Sequence, residues 1–84
     1  MKVLDFYADW CGPCQMLKPV LEEVEKEHPE VKFEAINVDD NSELAEKYGV
    51  MSIPTLIVVD DKGEIRETLV GMKTKAEIEK ALSK

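Results

Sequence analysis

The run Trp10-Cys11-Gly12-Pro13-Cys14 constrains this chain of 84 residues more than any other feature, because it stands where two periodicities meet. Ahead of it, Val3, Leu4, Phe6 and Tyr7 form a short apolar run, as in a strand covered on both faces. After it, Met16, Leu17, Val20, Leu21 and Val24 recur at helical spacing. A strand that empties into a helix at Cys11 sets that sulfur over the helix N-terminus. Unpaired N–H groups and the positive end of the macrodipole favour an anion there. A thiolate is such an anion, and it is the form that attacks disulfides. Cys14 follows one turn later, close enough to close a ring with Cys11. The layout is that of a dithiol–disulfide switch. Two competing readings are a pair of inert buried thiols and a zinc site, but His28 is the only histidine and a closed zinc site wants four ligands.

Composition narrows the field around this switch. The length suits one small domain over residues 1–84, near the size at which a single core is only just sufficient. A net charge of −7 argues against nucleic acid and anionic membranes as partners. No apolar run approaches the ~20 residues needed to cross a bilayer. Asp5 and Asp9 near the start, with no small-residue cleavage site, do not read as a signal peptide. Two cysteines are too few for a disulfide framework, so the pair reads as reactive and the protein as cytoplasmic.

The remaining elements alternate. The first helix runs from Cys11 to about His28, where Pro29 ends it, with Pro19 expected to kink it. Val31 to Val38 reads as a second strand. Asn41 is placed to cap a short helix through Tyr48, with Gly49 suited to the left-handed position beyond it. Thr55 to Val59 is a β-branched strand, and Asp60-Asp61-Lys62-Gly63 is a hairpin turn into Glu64 to Val70. Thr74 and Glu77 form a capping box for a last helix ending near Leu82. The order β-α-β-α-β-β-α predicts an α/β fold, a mixed four-stranded sheet flanked by three helices on both faces. His28 and the acidic group Glu22, Glu23, Glu25 and Glu27 read as solvated helix surface.

The segment from Leu4 to Cys14, the later Ile53-Pro54-Thr55 and the Val70-Gly71 step together resemble the thioredoxin family, in that family's order and over essentially the whole chain. The resemblance implies a thioredoxin-like fold and a protein-disulfide reductase. Thioredoxins usually carry a further strand and helix ahead of the segment that begins here at Met1. The Val31–Val38 strand is therefore expected at the sheet edge, where Lys32 and Glu34 would guard it. The family also usually places a lysine where this chain has Ala35, which leaves Asp5 without its customary charge partner.

Under that resemblance the residues take roles. Cys11, at the helix start and expected nearest solvent, is the attacking sulfur, and Cys14 resolves the mixed disulfide. A free thiol is only about 3% ionised at neutral pH, and ~2 kcal/mol of stabilisation would bring it to about half. Pro13 suits the first helical turn but contributes no N–H, so Gly12-Pro13 points to a reducing electron donor. Asp5 interrupts an apolar strand; a buried acid has a raised pKa and could exchange a proton with Cys14. The resemblance implies a cis bond before Pro54, presenting the Ile53 backbone to an extended substrate segment. Trp10, Gly12, Pro13, Ile53, Gly71 and Met72 would complete an apolar docking surface. No cofactor or metal is expected beyond a reversible Cys11–Cys14 disulfide, recharged by a thioredoxin reductase-like donor. The partners expected of this monomer are disulfide-containing proteins. Two alternatives stay open: a glutaredoxin-like reductase fed by glutathione, and a non-catalytic binding subunit that uses the same surface.

Overall fold

A computed structural model describes residues 1–83. The elements run β1 (Lys2–Tyr7), α1 (Gly12–Glu27), β2 (Lys32–Asn37), α2 (Ser42–Lys47), β3 (Thr55–Val59), β4 (Ile65–Val70) and α3 (Lys75–Leu82). Each expected element is present, with ends displaced by a residue or two. The four strands form one sheet in the order β2-β1-β3-β4. β1 and β2 are parallel, while β1 with β3 and β3 with β4 are antiparallel. The sheet is therefore mixed, and β2 is at its edge. Lys2 reaches Glu34 on that edge at 3.8 Å, so one guarding charge is paired along the sheet.

Strand alternation divides the core into two layers. Val3, Leu56 and Val58 meet Leu17, Leu21 and Val24 of α1 and Ile78, Ala81 and Leu82 of α3. On the other face, Leu4, Phe6, Ile36, Ile57 and Val59 meet Ala45, with Leu44 and Tyr48 packed beside them. The central strand β3 is buried at every position, as its unbroken β-branched run requires. Asp5 shares the α1 side of β1 with Val3, and its register neighbours are Ala35 on β2 and Leu56 on β3.

Several local expectations are corrected. Met16, read as part of the apolar stripe of α1, points outward and is largely exposed. Asn41 occupies the N-cap position of α2 without a side-chain cap; its Nδ2 instead donates to the Asn37 carbonyl at 3.1 Å. His28 and the acidic face of α1 are not merely solvated. His28 Nε2 lies 3.0 Å from Glu79 Oε2, and Lys75 of α3 donates to both Glu23 and Glu27. These contacts lash the C-terminal half of α1 to α3. The Thr74–Glu77 capping box is complete, and Gly49 takes the left-handed conformation at φ 68°.

Candidate active site

Chain direction builds the site. β1 delivers Tyr7, Ala8 and the Asp9-Trp10 turn to the start of α1, where Cys11 is the N-cap in extended conformation. Gly12 and Pro13 open the helix, so the amide missing at Pro13 is one the helix would not have bonded internally. The Cys14 N–H is then the first to turn back, and it donates to Cys11 Sγ at 3.2 Å. The capping acceptor, a serine or aspartate oxygen in most helices, is here a sulfur. Cys11 and Cys14 are disulfide-bonded, their Cα atoms 5.2 Å apart.

Exposure does not separate the two cysteines: Cys11 is 5% exposed and Cys14 7%. The expectation that Cys11 lies nearer solvent is therefore not met, because Ala8, Tyr7, Val38 and Ile53 pack around the pair. What distinguishes Cys11 is its N-cap position and the amide aimed at its sulfur.

The surroundings are laid out by two further turns. The Ile53–Pro54 bond is cis. Ile53 packs against the cysteines while Pro54 is buried, so Pro54 places its neighbour and does not offer its own ring. The Gly71 N–H donates to the Pro54 carbonyl at 2.9 Å, with Gly71 at φ 88°, a conformation side-chain-bearing residues rarely adopt. Gly71 and Met72 are thereby held beside the Ile53 turn, Met72 being 45% exposed. Trp10 is 71% exposed, yet its indole N–H donates to Asp39 Oδ2 at 2.9 Å, which fixes the ring's edge. A Cβ added at Gly12 would meet nothing within 4 Å, so that backbone faces open space. Met51, which the sequence reading passed over, is almost fully exposed two residues before Ile53.

Behind the disulfide lies a narrow cleft of about 120 Å³, lined by Asp5, Tyr7, Asp9, Cys14, Gln15, Lys18 and Ala35. Its volume holds water but falls well short of the roughly 300–1,000 Å³ of a small-molecule pocket. Burial raises the Asp5 pKa from 3.8 to about 6, and the nearby Lys18 ammonium opposes that rise. Lys18 is the functional candidate that sequence reasoning missed. Its signal was its spacing, four residues after Cys14 and hence on the same helix face. Among the described residues, no group of three or more His, Cys, Asp and Glu side chains could hold a metal ion. No helix among them is long and apolar enough to cross a membrane.

The thioredoxin family model matches residues 1–84. The chain belongs to the thioredoxin family. It is 53% identical over 81 residues to the thioredoxin of Bacillus subtilis, covering 95% of this chain and 77% of that protein. Against the thioredoxin of Listeria monocytogenes the identity is 47%, with 95% and 78% covered. The crystal structure of oxidised mitochondrial thioredoxin 3 from Saccharomyces cerevisiae superposes with a TM-score of 0.90 at 33% identity, covering 98% of this chain and 76% of that one. Like other thioredoxins, this protein is a thiol–disulfide oxidoreductase and a protein-disulfide reductase, which sets aside the glutaredoxin-like and non-catalytic alternatives.

Proposed function

We propose that this thioredoxin is a cytoplasmic electron carrier that works as a monomer, with Cys11 attacking, Cys14 resolving and Asp5 relaying the proton. The observation that carries this assignment is the Cys14 amide directed at Cys11 Sγ from the first turn of α1. That donor and the helix terminus both stabilise negative charge on Cys11 and not on Cys14.

The cycle follows from these positions. The Cys11 thiolate attacks one sulfur of a substrate disulfide and expels the other as a thiolate, forming a mixed disulfide. The Asp5 carboxylate takes the proton from the Cys14 thiol, directly or through water in the cleft they share. The Cys14 thiolate then attacks Cys11 Sγ, the mixed bond breaks, and the second substrate sulfur leaves and is protonated. The substrate gains two electrons and the cysteine pair loses two. A reductase-like partner returns them, and no cofactor is needed on this chain.

The docking face assigned to substrate is the rim formed by the exposed Trp10, Gly12, Pro13 and Met72 with the half-buried Ile53 and Gly71, and Pro54 supports it from below. An open surface beside a small cleft suits an extended protein segment better than a small thiol such as glutathione. The test is reduction of insulin disulfides with dithiothreitol as electron source. Wild-type protein should accelerate precipitation of the B chain, Cys11→Ser should not, and a wild type without activity defeats the assignment.

A further inference from the structure

We propose that Lys18 is a positioning residue for Asp5: its ammonium, and no group on the neighbouring strand, favours the ionised carboxylate beside Cys14 against the effect of burial. The proposal rests on the Asp5 relay described above, which it deepens.

The geometry comes from three elements. Cys14 and Lys18 are four residues apart on α1 and line the same cleft. Asp5 enters that cleft from β1. Across it, the residue in register with Asp5 on β2 is Ala35, which is exposed and carries no charge. On the β3 side the register partner is Leu56, fully buried and apolar. The other groups lining the cleft are the Tyr7 phenol, the Asp9 carboxylate, the Gln15 amide and the Cys14 sulfur. Lys18 is thus the one cation among the described residues that line it.

A cation in this place has a defined effect. Burial pushes the Asp5 carboxyl toward its neutral form, and a second carboxylate at Asp9 does nothing to oppose that. Lys18 works in the opposite sense, favouring the ionised form. A base must be ionised to accept the Cys14 proton, so Lys18 extends the pH range of the relay downward. No side-chain hydrogen bond to Asp5 accompanies the Lys18 effect, which makes it an influence through the cleft and not a fixed ion pair. Charge, more than side-chain shape, should then be what matters. Helix α1 here supplies from one side what a lysine at position 35 would supply from the other.

The experiment follows the Asp5 carboxyl carbon by NMR against pH in wild type, Lys18→Met and Lys18→Arg, each in the reduced and oxidised protein. Lys18 is exposed, so methionine keeps the aliphatic stem without disturbing the core. Lys18→Met should move the Asp5 midpoint upward by about 0.5 to 1 pH unit, and Lys18→Arg by less than about 0.2. The acid limb of mixed-disulfide resolution, followed by stopped flow, should move with it in Lys18→Met and stay in place in Lys18→Arg. An unchanged midpoint in Lys18→Met overturns the proposal, as does an equal displacement in Lys18→Arg. If Asp5→Asn leaves the rate profile untouched while Lys18→Met still moves the Asp5 midpoint, the relay falls and the Lys18–Asp5 coupling stands.

Discussion

Replacing Asp5 with asparagine should stabilise the protein, and only above a definable pH. The Asp5 carboxyl titrates at about 6 in the fold against 3.8 for an ordinary aspartate. Below about pH 3.8 the group is protonated in folded and unfolded chains alike and contributes nothing to the pH dependence. Between that pH and about 6 the unfolded chain ionises first, so wild-type stability falls as pH rises. Above 6 both states are ionised, and the fold carries the cost of a half-buried charge. The gap corresponds to about 3 kcal/mol, reduced to roughly 2 by the solvent that reaches the cleft. Asparagine has the same shape and no charge to bury. Urea unfolding of the oxidised protein at a series of pH values, wild type against Asp5→Asn, reads the difference directly. The two curves should coincide near pH 3.5, separate between 4 and 6, and run parallel above 7 with the variant about 2 kcal/mol more stable. A pH-independent offset, or a gap that narrows toward pH 7, would refute the burial argument.

Four further outcomes are expected. Cys14→Ser should trap a Cys11-linked mixed disulfide with substrate, visible by mass spectrometry, whereas Cys11→Ser should trap none. Iodoacetamide alkylation of reduced Cys11 should reach half its limiting rate well below the free-thiol midpoint of about pH 8.5; a half-maximal rate only near pH 8.5 contradicts a helix-stabilised thiolate. His28 has its pKa raised chiefly by the hydrogen bond to Glu79, so that contact stabilises below the ordinary histidine value of 6.5 and fades as pH rises through the raised one. The deficit of His28→Ala in thermal unfolding should therefore be larger at pH 6 than at pH 8.5. Leu56→Ala should cost about 3 kcal/mol, since the side chain is fully buried between the sheet and the two helices of its face.

Much of this molecule was legible because its signals are local. The strand-to-helix step at Cys11, the turn at Asp60–Gly63 and the Thr74–Glu77 box each depend on residues a few positions apart, and each appears where those residues put it. The three well-separated motifs could be joined only through family resemblance, and Ile53, Gly71 and the cysteines do lie together. What escaped reading is contact over long sequence separation. Nothing in the vicinity of His28 announces Glu79, 51 residues away, and Lys75 stands 48 positions from Glu27. Asn41 fails as a cap because Asn37, four residues earlier, competes for its side chain. Met16 fits the helical period yet lies on the flank of the apolar stripe, where a flexible hydrophobe is tolerated in water. Lys18 differs from these. Its spacing from Cys14 was readable, but only the register of Asp5 against Ala35 shows that its charge has a counterpart.

The fastening of α1 bears on how quickly the protein can hand over its electrons. Leu17, Leu21 and Val24 seat the distal part of that helix in the sheet, and His28 and Lys75 moor its far end to α3. At the opening turn only Gly12 and Pro13 face outward, while Cys11 and Cys14 are packed against Ala8 and Ile53. The helix behaves as a beam clamped at one end with the reactive atoms at its tip. Making and breaking a bond at the tip leaves the clamp undisturbed, so the scaffold has almost nothing to rearrange between turnovers.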